Sequence, residues 1–223
     1  MKNTIIRQMS LILALCWLLT GSLPPGEAAP PSAPRSIGTI VAVGDSLTAG
    51  LGVNEAEAYP AQLENKLRAA GYEWKVINAG ISGETSSGTL SRINWAMKLR
   101  PDIVILETGA NDGLRGIDPA VTRKNIDETV RILKQQNVTV VLAGMQMVRN
   151  LGLEFTKRFA DIYPSLAKKH GLILVPFFLQ GVAGDPSLNQ PDGIHPTAEG
   201  YRIITKNVYP FARKAIDGHT KRP

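Results

Sequence analysis

Five short apolar runs alternate along the chain with five longer segments that mix apolar and charged residues. The runs are rich in β-branched residues and apolar at consecutive positions, which is typical of strands buried on both faces of a parallel sheet. They cover residues 39–43, 75–77, 103–106, 138–143 and 172–175. This alternation leaves few folds open, because each strand must be followed by an element that crosses back over the sheet.

The segments between the runs have the periodicity of amphipathic helices. In the third segment Ile126, Val130 and Leu133 recur at helical spacing, and the charged residues between them can face water. The five segments cover 59–70, 88–99, 119–136, 154–170 and 197–215. We therefore predict an α/β domain at 37–217, with three layers (α/β/α), a five-stranded parallel sheet and right-handed crossovers.

The first 28 residues have the pattern of a secretory signal peptide. Lys2 and Arg7 precede the apolar run 9–19, and small residues stand before a cleavage point after Ala28. The run is shorter than the roughly 20 residues that a membrane-spanning helix needs. A lipoprotein anchor at Cys16 is the alternative, which the bulky residue before it disfavours. The pattern predicts a cleaved signal and a periplasmic or secreted protein.

The remaining residues outside the predicted domain form two short polar segments. A Pro/Ser-rich spacer covers 29–36 and a polar tail covers 218–223. Cys16 is the only cysteine, so the mature chain would have neither disulfides nor thiol chemistry. The net charge of +6 is not gathered into a basic run, which does not suggest nucleic acid as a partner. We expect a monomer that acts on small molecules, with at most transient contact with lipid surfaces.

Distinctive loops follow every predicted strand, at the edge where an open α/β sheet binds its ligands. GDSLTAG (44–50) follows the first run, NAGISGE the second, GANDG the third and MQMVRN the fourth; DGIHP follows the fifth after a longer loop. GDSLTAG lacks the Gly-Lys-Ser/Thr of a P-loop and the spacing of a dinucleotide fingerprint. The remaining interpretation is a turn that presents Ser46 as a nucleophile.

Three histidines are candidates for the base that a serine nucleophile needs. His219 is in the predicted tail and His170 ends a helix at the opposite edge of the sheet, whereas His195 is at the ligand-binding edge. Asp192, three residues earlier, can reach Nδ1 of His195 and orient its ring. The alternatives are a turn residue for Asp192 and a surface histidine for His195, but a serine at the same edge favours catalysis.

Three groups near Ser46 are candidate donors to an oxyanion. The Ser46 N–H would point into the cleft from the start of a helix. Asn111 offers a neutral side-chain donor, and Gly80 lets a backbone N–H approach a substrate without a Cβ in the way. Taken alone, each of the three is more often a cap or turn residue. No G-x-S-x-G occurs in the chain, which excludes the nucleophile elbow of α/β-hydrolases.

In order, GDSLT, Gly80, Asn111 in GAND and DGIHP resemble the four sequence blocks of the SGNH hydrolases, also called the GDSL esterase family. GANDGLRG and DGIHP are similar to the bacterial periplasmic acyl-CoA thioesterases of that family, which are also lysophospholipases and arylesterases. The resemblance implies a flavodoxin-like strand order, Ser46 as nucleophile, His195 as general base and Asp192 as its orienter. It also implies an oxyanion hole of the Ser46 and Gly80 N–H groups and the Asn111 side chain, and no cofactor.

The predicted activity is hydrolysis of fatty acyl esters and thioesters through an acyl-enzyme. Five apolar side chains could line a groove for the acyl chain, although core positions are an equal alternative. They are Leu114, Met145, Met147, Leu151 and Phe155. Two other functions stay open, a carbohydrate acetyl esterase and a lipid- or glycan-binding module without turnover. No metal site is expected, because His195 is the only well-placed histidine.

Overall fold

The sheet is parallel, five-stranded and ordered β2-β1-β3-β4-β5. The computed structural model describes residues 37–147 and 151–219, and the predicted signal peptide and spacer lie outside them. The strands are β1 (Gly38–Gly44), β2 (Trp74–Gly80), β3 (Ile103–Glu107), β4 (Thr139–Ala143) and β5 (Ile173–Val175). The prediction of a three-layer domain with a flavodoxin-like strand order is confirmed.

Helices cover both faces of the sheet. They are α1 (Ser46–Ala49), α2 (Tyr59–Ala69), α3 (Ser86–Ala96), α4 (Ala110–Leu114), α5 (Pro119–Gln135), α6 (Leu153–Ala160), α7 (Ile162–His170) and α8 (Ala198–His219), with 3₁₀ turns at Glu55–Glu57 and Met97–Leu99. Helices α2 and α8 pack together on one face, and α3, α5 and α7 pack in succession on the other. No helix in the described part of the chain is long and apolar enough to cross a membrane.

The hydrophobic core lies on both faces of the sheet. Every residue of β3 is buried, and so are nearly all residues of β1, as their continuous apolar sequences predict. On α5 the predicted apolar face of Ile126, Val130 and Leu133 is fully buried, and this helix packs against β4. The core thus holds the central strands in a fixed position relative to the helices.

The register of β1 brings the ends of three strands level. β1 pairs with β2 from Gly38 opposite Trp74 to Gly44 opposite Gly80, and it pairs with β3 on its other side. The loops that follow Gly44, Gly80 and Glu107 therefore leave the sheet side by side. As a result, the segments that carry Ser46, Gly80 and Asn111 meet at one edge.

Two helices differ from the sequence predictions. The segment 154–170 forms two helices, α6 and α7, rather than one, because Pro164 would clash with the carbonyl of Ala160 in a continuous helix. Helix α8 continues through His219, although the sequence predicts that this residue belongs to the polar tail. The His219 ring packs edge-on against Trp74 with centroids 5.5 Å apart, and its Nε2 lies 3.6 Å from Asp102 Oδ1. These contacts anchor the last turn.

Candidate active site

The turn that carries the candidate nucleophile, here called the nucleophile turn, covers residues 44–50 and begins where β1 ends. Asp45 caps the one-turn helix α1, since its Oδ1 accepts a hydrogen bond of 2.9 Å from the Leu47 N–H. Gly50 ends the helix in the left-handed conformation, with φ of 82°. Ser46 is the first residue of this helix and is 7% exposed. The local sequence thus places the Ser46 side chain at the carboxyl end of the central strands.

Ser46, His195 and Asp192 form a continuous hydrogen-bonded chain. His195 Nε2 lies 2.9 Å from Ser46 Oγ, and His195 Nδ1 lies 2.6 Å from Asp192 Oδ2. In the tautomer that this geometry favours, Nδ1–H donates to Asp192 and the Nε2 lone pair faces the serine hydroxyl. The arrangement is that of a nucleophile, a base and an orienting carboxylate.

The Asp192 carboxylate is fixed by its own turn. Its Oδ1 accepts backbone N–H groups from Ile194 (2.9 Å) and His195 (3.0 Å). The hydrogen bond from the His195 side chain, followed by these two backbone bonds, lowers the pKa of Asp192 to about 2. The group is therefore ionised at neutral pH and holds the imidazole ring from the solvent side.

A second feature of the same turn, which the sequence did not reveal, is a clamp formed by Gln190. Its backbone N–H donates to the His195 carbonyl at 2.7 Å. Its side-chain amide donates to the Leu51 carbonyl at 2.7 Å and to the Pro196 carbonyl at 3.0 Å. Because Leu51 follows the nucleophile helix, Gln190 ties the Ser46 segment to the His195 segment. The position of Gln190 just before DGIHP is the only signal that could have identified it.

The predicted oxyanion donors gather around Asp45, but two of them already have protein acceptors. The Asn111 amide donates to Asp45 Oδ2 (3.1 Å) and to the Glu84 carbonyl (3.0 Å). The Gly80 N–H donates to Asn78 Oδ1 at 3.0 Å. The Ser46 N–H has no hydrogen-bond partner among the described residues. An oxyanion would thus meet one free donor at Ser46 and share or exchange the bonds of the other two.

Gly80 is required by close packing against the nucleophile helix. A Cβ at this position would lie 2.2 Å from the Ala49 nitrogen and 2.8 Å from the Asp45 carbonyl oxygen. No other residue type could bring β2 so near to the turn that carries Ser46. The glycine therefore sets the distance between two of the candidate oxyanion donors.

The loop whose Glu84 carbonyl accepts the Asn111 amide is held by a largely buried ion pair that the sequence did not reveal. Arg92 on α3 binds Glu84 in bidentate fashion, with N–O distances of 2.6 and 2.7 Å. The same guanidinium donates to the Gly44 carbonyl at 3.3 Å. The pair therefore connects the Glu84 loop to the end of β1, and so aligns the carbonyl that holds Asn111.

The five predicted groove residues lie in different environments. Met145 is 2% exposed and belongs to the core, so it offers almost no surface to a ligand. Met147 and Phe155 are partly buried. Met147 packs on Gly113, and the Phe155 ring stacks on Phe159 with centroids 6.2 Å apart. Leu151 is half-buried and Leu114 is exposed. Residues 148–150 of the same loop lie outside the described residues.

No cluster suited to a metal ion accompanies the triad. Within residues 37–147 and 151–219, no three His, Cys, Asp or Glu side chains are grouped closely enough to hold one. The geometry of the site is that of a serine nucleophile with a histidine base.

Comparisons with known proteins agree with the fold and with the motifs. The model of the GDSL-like lipase/acylhydrolase family matches residues 42–203. Esterase TesA of Pseudomonas aeruginosa is 37% identical over 179 residues, covering 80% of this chain and 89% of that protein. The Escherichia coli K12 protein thioesterase 1/protease 1/lysophospholipase L1 is 36% identical over 167 residues, covering 74% and 79%. A crystal structure of TesA has a TM-score of 0.77 at 36% identity, over 79% of this chain and 99% of that one.

The family match runs from β1 into α8, and so includes the nucleophile turn, the Gly80 and Asn111 loops and the DGIHP turn. The relatives are named as an esterase and as a thioesterase and lysophospholipase, which are hydrolases of ester and thioester bonds. The chain therefore belongs to the GDSL-like lipase/acylhydrolase family, the SGNH ester hydrolases.

Proposed function

We propose that the protein hydrolyses carboxylic esters and thioesters through an acyl-enzyme formed on Ser46. The observation that carries the proposal is the uninterrupted chain from Asp192 through His195 to Ser46 Oγ, with distances of 2.6 and 2.9 Å. A module that only binds lipids or glycans has no need of this alignment.

Acylation begins when Ser46 Oγ attacks the substrate carbonyl carbon and its proton passes to His195 Nε2. The tetrahedral intermediate collapses, and the leaving oxygen or sulfur takes the proton from His195. Water then attacks the acyl-serine, gives a proton to His195 and releases the carboxylic acid as Ser46 Oγ recovers its proton. Asp192 stabilises the imidazolium in both half-reactions without itself being protonated.

The negative charge on each tetrahedral oxygen is stabilised by the Ser46 N–H, the Gly80 N–H and the Asn111 amide. These donors are on β2 and two short helices fixed by the core, so the backbone that carries them is already in place when the charge develops. The Asn78 and Glu84 oxygens satisfy two of the donors when no substrate is bound. Acyl transfer exchanges one set of acceptors for another.

The preferred acyl group is a fatty acid rather than acetate. Five exposed apolar side chains are on the segments that follow the five strands, at the carboxyl edge of the sheet: Leu51, Ile81, Leu114, Leu153 and Ile194. Together with Met147, Leu151 and Phe155 they offer a long chain more apolar surface than an acetyl group could use. Lysophospholipids, fatty acyl thioesters and aryl esters are the substrate classes that fit this environment.

The protein acts outside the cytoplasm as a monomer, with transient contact with lipid surfaces where its substrates are found. The signal-peptide pattern of residues 1–28 supports the location. The exposed apolar side chains that follow the strands support the lipid contact.

The proposal is tested by measuring hydrolysis of p-nitrophenyl esters from acetyl to palmitoyl, with lauroyl-CoA and a lysophospholipid alongside. The wild type is compared with Ser46→Ala and with Ser187→Ala, a serine exposed on the long loop before Asp192. We expect a maximum at medium or long chains that vanishes in Ser46→Ala and survives in Ser187→Ala. Activity confined to acetyl esters would indicate a carbohydrate acetyl esterase, and absence of Ser46-dependent turnover would indicate a binding module.

A further inference from the structure

Two carboxyl groups are buried side by side beneath the nucleophile turn. Glu107, the last residue of β3, is 0% exposed, and Asp45 is almost as deeply buried. Among the described residues, no ion pair joins either carboxyl to a lysine or arginine. Two ionised carboxylates in one buried site repel each other strongly, which disfavours the state in which both are charged.

Asp45 has the contacts of the ionised partner. Its Oδ1 accepts the Leu47 N–H at 2.9 Å, and its Oδ2 accepts the Asn111 amide at 3.1 Å. Hydrogen bonds donated to both oxygens stabilise the charged form. Burial raises the pKa of Asp45 to about 6, and hydrogen bonds from Leu47, Glu107 and Asn111 limit that rise.

Glu107 has the contacts of a neutral acid. Its Oε2 accepts the Thr48 hydroxyl at 2.9 Å and the Asp45 N–H at 3.3 Å, whereas its Oε1 has no hydrogen-bond partner in the described part of the chain. A buried carboxylate oxygen without a donor is costly, but a protonated oxygen can donate to a neighbouring carboxylate. Burial, followed by the charge of Asp45, raises the pKa of Glu107 well above its usual value.

We propose that Glu107 is a positioning residue, a neutral carboxylic acid that donates a hydrogen bond to the Asp45 carboxylate and thereby aligns both Ser46 and Asn111. The inference rests on the proposed function, because it assigns a role in aligning the nucleophile and an oxyanion donor. Glu107 contacts the turn on both sides of the serine, at the Asp45 N–H and at Thr48. Asp45 then extends the chain of contacts to Asn111.

The glycine that opens the GDSL motif fits the same packing. A Cβ on Gly44 would lie 2.6 Å from Glu107 Oε2 and 2.1 Å from the Thr48 hydroxyl. The Glu107 carboxyl can therefore reach the turn only because residue 44 has no side chain. The absence of a side chain at Gly44 and the position of the Glu107 carboxyl therefore depend on each other.

The other ionisable groups around Asp45 and Glu107 do not supply a positive charge that would allow both carboxyl groups to ionise. Burial raises the pKa values of Tyr59 on α2, Tyr163 on α7 and Tyr201 on α8, so all three stay neutral. The charge of His195 lowers the pKa of Asp45, but less than the hydrogen bonds to Asp45 do. Arg92 reaches the Gly44 carbonyl, but its charge is bound by Glu84.

The protonation state is tested directly by NMR of the full chain carrying ¹³C at the glutamate side-chain carboxyl carbon. We expect one resonance in the wild type to keep the chemical shift of a protonated acid at pH 7, and this resonance to be missing in Glu107→Gln. Titration of every glutamate resonance to the carboxylate position below pH 7 would overturn the proposal. This measurement needs no variant that lacks the side chain.

The positioning role is tested by steady-state kinetics of two variants. In Glu107→Gln the amide can still donate to Asp45 and accept from Thr48, so we expect kcat to stay within about fivefold of the wild type. In Glu107→Ala the support is lost, and we expect kcat to fall by about 10²-fold with little change in KM, since small misplacements of reacting groups have effects of that size. Equal kcat values in the two variants, or a change in KM alone, would overturn it.

The two proposals fail in different ways. If Ser46→Ala keeps its esterase activity, the proposed function is wrong, and the glutamate resonance still decides whether Glu107 is neutral. If Ser46→Ala is inactive but Glu107→Ala has the kcat of the wild type, only the positioning role is wrong. A thermal unfolding curve for each variant separates loss of alignment from loss of fold.

Discussion

The two halves of the proposed catalytic site differ in how they are held. The nucleophile half is buried, and Ser46 and Asn111 are supported by side chains from strands and helices that pack in the core. The base half is a surface turn, in which Asp192 is 46% exposed at its side chain and is fixed mainly by hydrogen bonds within a few residues. The buried half depends on long-range contacts, and the exposed half depends on local chain geometry.

This difference assigns different tasks to the halves. In the proposed mechanism the buried half stabilises a charge that appears only during the reaction, which requires donors that are held in place. In the same mechanism the exposed half accepts and returns a proton and admits the water molecule that attacks the acyl-serine, which requires access to solvent. Substitutions in each half should therefore differ in size and in pH dependence.

The largest effect is expected in the exposed half, for Asp192→Asn. The amide cannot hold the imidazole in the tautomer that faces Ser46, so we expect kcat to fall by about 10⁴-fold, as for the same change in a serine protease triad. Steady-state kinetics with a p-nitrophenyl ester measures it. Asp185→Asn, in the loop before the same turn, is the matched control and should keep full activity. A loss below tenfold would show that the surface turn does not orient the ring.

The next largest effect is expected in the buried half, for Asn111→Ala. Loss of one oxyanion donor should lower kcat by about 10²–10³-fold and leave KM nearly unchanged, because the donor acts on the developing charge. The control is Asn207→Ala: Asn207 is on α8 and its side-chain amide donates to the Gln180 carbonyl. If KM rises while kcat is intact, Asn111 binds substrate and does not stabilise the oxyanion.

A smaller effect is expected where the halves meet, at Gln190. Gln190→Ala removes the bonds to the Leu51 and Pro196 carbonyls, and the resulting misplacement of His195 should lower kcat about tenfold. Gln190→Glu keeps the shape but cannot donate to either carbonyl, so it should lose at least as much activity. If both variants match the wild type, the two halves are aligned by the core alone.

The smallest effect is on stability, where the two halves should respond to pH in opposite directions. The folded pKa of Glu107 is raised, so the native state loses stability as pH rises above 4.5, by at most about 1.4 kcal/mol per pH unit relative to Glu107→Gln. The folded pKa of Asp192 is lowered, so its contribution is present above pH 3.8 and is lost as pH falls towards 2. Denaturant unfolding between pH 2 and 8 tests both. A difference between wild type and Glu107→Gln that is independent of pH would contradict the neutral acid.

The sequence predicted the exposed half more completely than the buried half. Asp192 and His195 are three residues apart, and the position of Ser46 after a β-branched run follows from strand topology. The partners of Asp45 are 62 and 66 residues away, so no local pattern could indicate them. An ionisable residue, Glu107, at the end of an apolar run was the only trace of the buried pair.

The same reason explains the other differences from the predictions. Helix periodicity continues across 154–170, and only the position of Pro164 in the three-dimensional helix shows that it must break. Met145 has the sequence of a loop residue beside the site, but its burial depends on packing from several elements. Strand positions and helix faces are local properties, whereas which side chains share a buried cluster depends on the whole fold.

The separation of Ser46 from its base has a consequence for folding. The two residues are 149 positions apart, and Gln190 joins segments that are 139 positions apart. Closing such contacts has an entropic cost that local structure does not offset until the last strand and α8 have docked. Recovery of esterase activity after dilution from denaturant therefore reports the docking of the C-terminal third of the chain, whereas helical circular dichroism reports events that precede it.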